Sequence, residues 1–279
     1  MEVLTKLQRI DRRIIYALVI ILIAFALLKD FSLPRPVTPE ARRLFEAVEA
    51  VPEDKIVLVA ADWGAATRGE CWPQTVAVVS HLLKARKKFA IMGFNPQGPE
   101  YTQKIAEEQA QIYGGVYGVD WCNWGYKVGV DTTLLSLVQD IPKTIPEDVK
   151  GTPVEEIPMM KNVKTAEDIG LIVEFTGAGM LDYYLRRMAG VPIGQGCTAV
   201  IGPEQYTYLD SGQLVGLLVG MKGAAEYETL VDFRGQGTEA MRPQSLAHLL
   251  IIILIILGNI GMYAARRAEK QGAKEGTHG

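Results

Sequence analysis

Apolar residues form two long runs near the ends of the chain and shorter runs between them. The first long run, Ile14 to Leu28, has fifteen residues without a charge, and the second, Leu246 to Ala265, has twenty. At ~1.5 Å per helical residue, the second run is long enough to cross a hydrocarbon core of ~30 Å. The first approaches that length only if it extends to Leu33. We therefore predict two transmembrane helices, 14–33 and 246–265.

The first run is also short enough to belong to a cleaved signal peptide. Ala24-Phe25-Ala26 offers a weak A-x-A cleavage pattern. This pattern lies inside the apolar run, whereas the cleavage site of a signal peptide comes after the apolar run. We therefore favour an uncleaved anchor.

Basic residues flanking the two runs predict the orientation. The pairs Arg12-Arg13 and Arg266-Arg267 adjoin the outer ends of the runs. By the positive-inside rule, the tails 1–13 and 266–279 are then cytoplasmic and the domain between the spans is extracytoplasmic. A cytoplasmic domain is the alternative.

Between the two runs, short strand-like segments alternate with helix-like segments. The pattern predicts a juxtamembrane helix or stalk at 34–54, an α/β domain at 55–232 and a linker at 233–245. The predicted strands are Ile56–Ala61, Phe89–Phe94, Val116–Val119, Leu171–Phe175 and Thr198–Ile201. The predicted helices are Pro73–Arg86, Pro99–Tyr113, Thr132–Gln139, Met180–Ala189 and Ser211–Tyr227. Strands this short and apolar are typical of a sheet buried on both faces.

Five strand-then-helix units predict an α/β fold with a doubly wound, mainly parallel five-stranded sheet. At fold level, the pattern resembles flavodoxin-like domains and periplasmic binding proteins, and a fold alone gives no function. The segment 140–168 interrupts the alternation with four prolines and many charges. We interpret it as a long surface excursion.

Polar and aromatic residues follow the predicted strands. Ligands of open parallel sheets bind outside the carboxyl ends of the strands, where all these loops meet. We therefore predict one ligand site at that edge, formed by Asp62, Trp63, Asn95, Asp120, Trp121, Glu174 and Glu204. The other two tryptophans, Trp72 and Trp124, fall in the same predicted loops. The alternative is that the acids cap helices and the tryptophans cover the end of the sheet.

Four glycines recur at three- and four-residue spacing in the last predicted helix of the domain. They are Gly212, Gly216, Gly220 and Gly223. On a helix they would share one face and allow close approach of a neighbour. Packing inside the domain and assembly with a second subunit both remain open.

Composition excludes some functional classes. The net charge of −3 argues against nucleic-acid binding. Three cysteines and three distant histidines give no zinc spacing. The acids could supply oxygen ligands to a hard cation, yet no D-x-D motif follows a predicted strand, so we predict no metal site. The cysteines are interpreted as small buried residues, with a Cys71–Cys122 disulfide as the alternative.

The sequence contains no strong catalytic motif and identifies no cofactor. We therefore carry two hypotheses. The first is a ligand-binding or assembly module of a membrane complex, in contact with the lipid bilayer and with other subunits or further copies of itself. The second is a membrane-bound hydrolase that uses the acidic, tryptophan-lined edge.

Overall fold

The computed structural model describes residues 11–29 and 36–275. The chain divides into two compact units, one containing Met1–Pro34 with Glu239–Gly279 and the other containing Arg35–Thr238. The first unit carries the two hydrophobic segments, and the second carries the α/β domain.

The hydrophobic segments are helical in the described residues. Helix α1, Arg12–Leu28, has 17 residues and is therefore ~26 Å long, shorter than a hydrocarbon core. The last helix, Gln236–Glu275, contains one stretch that is long and apolar enough to cross a membrane, Gln236–Tyr263. It is the single candidate span within the described ranges, where two were predicted. Residues 1–10 of the predicted N-terminal tail, 30–33 of the first span, 34–35 of the stalk and 276–279 of the C-terminal tail lie outside these ranges.

The α/β domain contains six strands and eight helices of the α type among its described residues. The strands are β1 Ile56–Asp62, β2 Phe89–Gly93, β3 Trp121–Tyr126, β4 Ile169–Thr176, β5 Ile193–Cys197 and β6 Gly216–Val219. The helices are α2 Pro39–Glu49, α3 Arg68–Lys84, α4 Gln97–Tyr113, α5 Val130–Gln139, α6 Ile141–Thr144, α7 Leu181–Arg187, α8 Gly202–Asp210 and α9 Gly220–Val231. The long C-terminal helix is α10.

All six strands are parallel, in the order β3-β2-β1-β4-β5-β6. The prediction of a doubly wound parallel sheet is confirmed, with one strand more than predicted. The order differs from that of flavodoxin and is the one found in dinucleotide-binding folds. Its switch point lies between β1 and β4, because the chain builds outward in opposite directions from these two strands.

Two predicted strands are misplaced. Residues Val116–Val119 form a turn with one isolated bridge, and the strand begins at Trp121. The predicted strand Thr198–Ile201 is likewise a turn, because the strand ends at Cys197. In both places a short apolar run lies beside a strand that is itself rich in glycine or polar residues, so hydrophobicity alone selected the wrong segment.

Helices cover both faces of the sheet. One face packs against α2, α3, α4 and α9, and the other against α5, α6, α7 and α8. The segment 140–168 is not a surface excursion, since Ile145, Val154, Met160 and Val163 belong to the core. The reason is topological: the chain must return from edge strand β3 to central strand β4, and it covers the sheet on the way.

The four regularly spaced glycines, which we call the glycine stripe, do not lie on one face of a helix. Gly212 lies in a turn with a φ of +77°, and Gly216 begins β6. A Cβ at Gly216 would approach the backbone of Leu44 in α2 to 2.4 Å, so this glycine allows α2 to pack on the sheet. Gly220 starts α9 with a φ of +59°, and Gly223 lies inside α9. The expectation that these four glycines share one helix face is therefore wrong, because a turn and a strand interrupt the spacing, and the candidate assembly face loses its structural basis.

The predicted linker 233–245 is fixed to the domain where it begins. The buried carboxylate of Glu228 accepts hydrogen bonds from the backbone N–H groups of Gly235, Gly237 and Thr238, at 2.7–3.1 Å. Helix α10 already starts at Gln236. The chain thus leaves the domain through an anchored turn.

Candidate functional site

Two carboxyl groups lie on one face of the sheet near the carboxyl end of its central strands. Asp62 is the last residue of β1, and Glu174 in β4 is paired in register with Ala60. Side chains alternate between faces along a strand, so Ala60, Asp62 and Glu174 point to the same side. The sheet therefore brings two of the predicted acids together at its switch point.

Asp62 is held by two hydrogen bonds. Its Oδ1 accepts from the backbone N–H of Phe94 at 2.6 Å, and its Oδ2 accepts from the hydroxyl of Tyr184 at 2.8 Å. The side chain is only 7% exposed. Burial raises the pKa of Asp62 to about 6, although both hydrogen bonds oppose the shift. Asp62 therefore changes charge close to neutral pH.

Glu174 is completely buried. The amide Nε2 of Gln195 in β5 donates to its Oε2 at 3.0 Å, whereas its Oε1 has no hydrogen-bond partner. Burial, and then the charge of Asp62, raise the pKa of Glu174 well above its ordinary value. Glu174 therefore holds its proton more tightly than an ordinary glutamic acid.

Trp63 and Asn95 are at the same edge but take other roles. Trp63 points to the face opposite Asp62, where its ring lies 5.4 Å from that of Tyr101. Asp62 and Trp63 were predicted to share one site, and this is wrong, because consecutive strand residues face opposite sides of the sheet. Asn95 closes the turn after β2 by accepting from the N–H of Gln97 at 3.0 Å.

Asp120 and Trp121 lie at the opposite, amino edge of the sheet. Asp120 directly precedes β3, and its Oδ2 accepts from the N–H of Val116 at 2.7 Å. Trp121 begins β3 and stacks on Phe89, the first residue of β2, with ring centroids 6.1 Å apart. The prediction that these residues share an edge with Asp62 is therefore wrong. The cause is the misplaced third strand, which moved its apparent end by seven residues, from Tyr126 to Val119.

Glu204 belongs to the carboxyl edge, beside the acid pair. It lies in the first turn of α8 and lines a cavity of about 300 Å³ together with Asp182 of α7. The charge of Asp182 is one cause of the raised pKa of Glu174, so this cavity is electrostatically connected to the buried acids.

Sequence reasoning missed Tyr184, Gln195 and Asp182. Gln195 had a usable signal, since it is a lone amide inside the run Ile193–Cys197, and assigning that strand would have set it beside Glu174. Tyr184 and Asp182 had none, because only the packing of α7 on the sheet brings them to the site.

The three cysteines are free and buried. Cys71 and Cys122 belong to the cores on opposite faces of the sheet, so the alternative of a disulfide between them is wrong. Burial raises the pKa of each thiol to about 12, and all three remain protonated and poorly nucleophilic. Across the described residues, no group of three or more acidic, cysteine or histidine side chains is arranged to hold a metal ion.

The carboxyl edge thus offers hydrogen-bond acceptors and few nucleophilic groups. Comparisons of the chain with protein-family models, with curated proteins and with solved structures find no match. Function must therefore be argued from this geometry.

Proposed function

We propose that this chain is a ligand-binding module of a membrane complex, anchored in the bilayer, whose ligand is held at the carboxyl edge near Asp62 and Glu174. The observation that carries the proposal is Glu174, a fully buried acid with one oxygen lacking a partner. An unsatisfied buried polar group costs ~1–3 kcal/mol. An ionisable group kept under such conditions at a switch point is typical of a functional site.

Binding is better supported than hydrolysis. Both oxygens of Asp62 are engaged by hydrogen bonds, so this carboxylate is not placed to attack a substrate. Another acid at this edge, Glu70, also binds a backbone N–H group, that of Ala199, at 2.6 Å. These contacts favour a rigid binding edge over general acid–base catalysis.

Co-purification tests this proposal on the full-length chain. The protein would be extracted in mild detergent, and small molecules and proteins released from it would be identified by mass spectrometry. We expect a small molecule that is retained by the wild type and by Asp120→Asn and lost from Asp62→Asn. Equal retention by all three proteins, or no retained molecule at all, would refute a site at this edge. Conversion of the retained molecule with water would support the hydrolase instead.

The membrane arrangement is part of the proposal. The span within α10 supports one anchor, and the uncharged run in α1 with its flanking Arg12-Arg13 supports a second. Both termini are then cytoplasmic and the domain is extracytoplasmic. Because the native cysteines are buried, an exposed Asn162→Cys would be the main site labelled by a membrane-impermeant maleimide. We expect labelling of intact cells, and labelling only after permeabilisation would place the domain in the cytoplasm.

A further inference from the structure

One histidine joins three helices on the face of the sheet opposite Asp62. The side chain of His81, in the last turn of α3, is 3% exposed. Its Nε2 lies 2.9 Å from Oε1 of Glu49, the last residue of α2, and its Nδ1 lies 2.8 Å from the hydroxyl of Tyr227 in α9. The ring of Phe45 stacks on the imidazole, with centroids 4.2 Å apart, and fixes its plane. His81 therefore forms a polar link between α2, α3 and α9.

These two contacts determine which ring nitrogen carries the hydrogen. The carboxylate of Glu49 only accepts hydrogen bonds, so Nε2 of His81 carries the hydrogen in the neutral ring. Nδ1 is then an acceptor, and the hydroxyl of Tyr227 donates to it. Tyr227 is fully buried, and among the described residues Nδ1 is the sole hydrogen-bond partner of its hydroxyl. Both nitrogens and the hydroxyl are thus satisfied while the ring is neutral.

Protonation of the ring reverses the direction of one of these hydrogen bonds. In the imidazolium form both nitrogens carry hydrogens, so Nδ1 can no longer accept from Tyr227. The hydroxyl hydrogen is then left without an acceptor in a buried place, which is unfavourable. The contact with Glu49 becomes charge-assisted and therefore stronger. Protonation thus strengthens the link from His81 to α2 and weakens the link to α9.

The groups that face the ring determine how readily it takes up a proton. They are Glu49 from α2, Tyr227 from α9, Lys84 at the end of α3 and Lys87 in the turn that follows. Burial lowers the pKa of His81 from 6.5, the hydrogen bond and charge of Glu49 raise it, and the two lysines lower it further. The ring is therefore neutral at pH 7 and takes up its proton in the acid range.

We propose that His81 is an acid-sensitive switch, which holds α9 against α2 and α3 while its ring is neutral and releases α9 when the ring is protonated. Helix α9 continues into the turn where Glu228 binds three backbone N–H groups and where α10 begins. Release of α9 loosens the part of the domain from which the long C-terminal helix starts. The switch uses neither Asp62 nor Glu174 and does not depend on the proposed ligand.

A purely structural role for His81 competes with this proposal. A buried histidine that only completes the packing would lower the stability of the whole domain when it is charged, without a preference for one helix. The switch predicts a loss confined to α9 and the segment 232–238, because the contact with α2 becomes stronger in acid. The two explanations therefore differ in where the structure loosens.

Hydrogen–deuterium exchange of the full-length protein in detergent distinguishes them. The pKa of His81 is first measured from its ring resonances by nuclear magnetic resonance, and exchange is then compared at pH 7.5 and about one pH unit below that pKa. With the pH dependence of intrinsic exchange removed, we expect the protection of α9 to fall about tenfold, the effect of one lost buried hydrogen bond, and that of α2 and α4 to stay. His81→Gln, whose amide can make both contacts without titrating, should abolish the fall. His248→Gln, which replaces a histidine of α10, should keep it.

Two further variants test the exchange of hydrogen bonds itself. Tyr227→Phe has no hydroxyl to lose, so α9 should be equally protected at both pH values. Glu49→Gln removes the charge that favours the imidazolium, so the pKa of His81 should fall and the loss of protection should move to lower pH with it. An acid response that persists in Tyr227→Phe, or an equal loss of protection in α2, α4 and α9, would overturn the switch in favour of the structural role. A ring that stays neutral until the domain unfolds, or an α9 that stays protected while the ring is charged, would refute it as well.

Discussion

The two edges of the sheet place similar aspartates in different environments. Asp120 at the amino edge accepts one backbone hydrogen bond in a turn and is partly exposed. Asp62 at the carboxyl edge accepts a backbone hydrogen bond as well, yet it is 7% exposed and its pKa is raised by burial to about 6. Hydrogen bonding alone therefore does not distinguish them. The difference lies in stability. The acid at the amino edge stabilises a turn of the fold, whereas the buried acids at the carboxyl edge lower the stability of the folded state.

Trp121→Ala should give the largest effect and mark the amino edge as structural. Trp121 is 2% exposed, stacks on Phe89 and meets the ring of Tyr117 edge-on at 4.8 Å. Its removal should lower the free energy of unfolding by ~3–5 kcal/mol. Urea denaturation followed by far-ultraviolet circular dichroism measures this, with the exposed Val119→Ala as the control. If the free energy of unfolding fell only as much as in the control, packing at this edge would contribute little to the stability of the fold.

Asp62→Asn should have the opposite sign and stabilise the protein by ~1–3 kcal/mol at pH 8. The folded pKa of about 6 lies above the ordinary value of 3.8. The wild type therefore loses stability as the pH rises through this window, because the unfolded chain releases its proton first. Asparagine avoids the loss, since its carbonyl still accepts from Phe94 and its amide can donate to the Tyr184 hydroxyl.

The pH profile provides the check on Asp62→Asn. The gain should be full above pH 6 and should disappear below pH 3.8, in urea titrations of both proteins at matched pH. A gain that is the same at every pH would show that asparagine simply packs better. A loss of stability at pH 8 would make Asp62 a structural residue like Asp120.

The sequence was sufficient to predict the fold class, but it placed Asp120 and Trp121 at the wrong edge of the sheet. The continuous apolar runs of β1, β2 and β4 could be recognised directly, and they place Asp62, Asn95 and Glu174 at the carboxyl edge. β3 and β5 contain glycine, asparagine or glutamine at buried positions, so hydrophobicity did not reveal them. Each such error moved the apparent strand end, and for β3 it exchanged one edge of the sheet for the other.

Contacts between residues far apart in the chain could not be predicted from the pattern of apolar and polar residues. Tyr184 reaches Asp62 across 122 positions of the chain. The spacing of the four glycines suggested one helix, because period and composition do not show that Gly216 begins a strand. These features depend on tertiary packing, which a local pattern does not encode.

Asp120→Asn is the matched counterpart of Asp62→Asn and should have a smaller effect of the opposite sign. The amide carbonyl still accepts from Val116, as a weaker acceptor than a carboxylate. We expect a loss of ~0.5–1 kcal/mol in the free energy of unfolding, measured at pH 8 beside Asp62→Asn. Stabilisation by both asparagines would remove the contrast between the edges.

The smallest effect concerns His81, which gives the amino edge its own pH dependence. His81 lies in the last turn of α3, with Nδ1 2.8 Å from the hydroxyl of Tyr227 and Nε2 2.9 Å from Glu49. Burial lowers the pKa of His81 from 6.5, and the hydrogen bond and charge of Glu49 partly offset this shift. The folded state then binds its proton less readily than the unfolded chain, so stability is complete above pH 6.5 and declines as the pH falls below it. This sign is opposite to that of Asp62, and the two must be separated. In the Asp62→Asn background, unfolding free energies at pH 7.5 and 5.5 should differ, and adding His81→Gln should reduce the difference. An unchanged difference would mean that another titratable group causes the pH dependence.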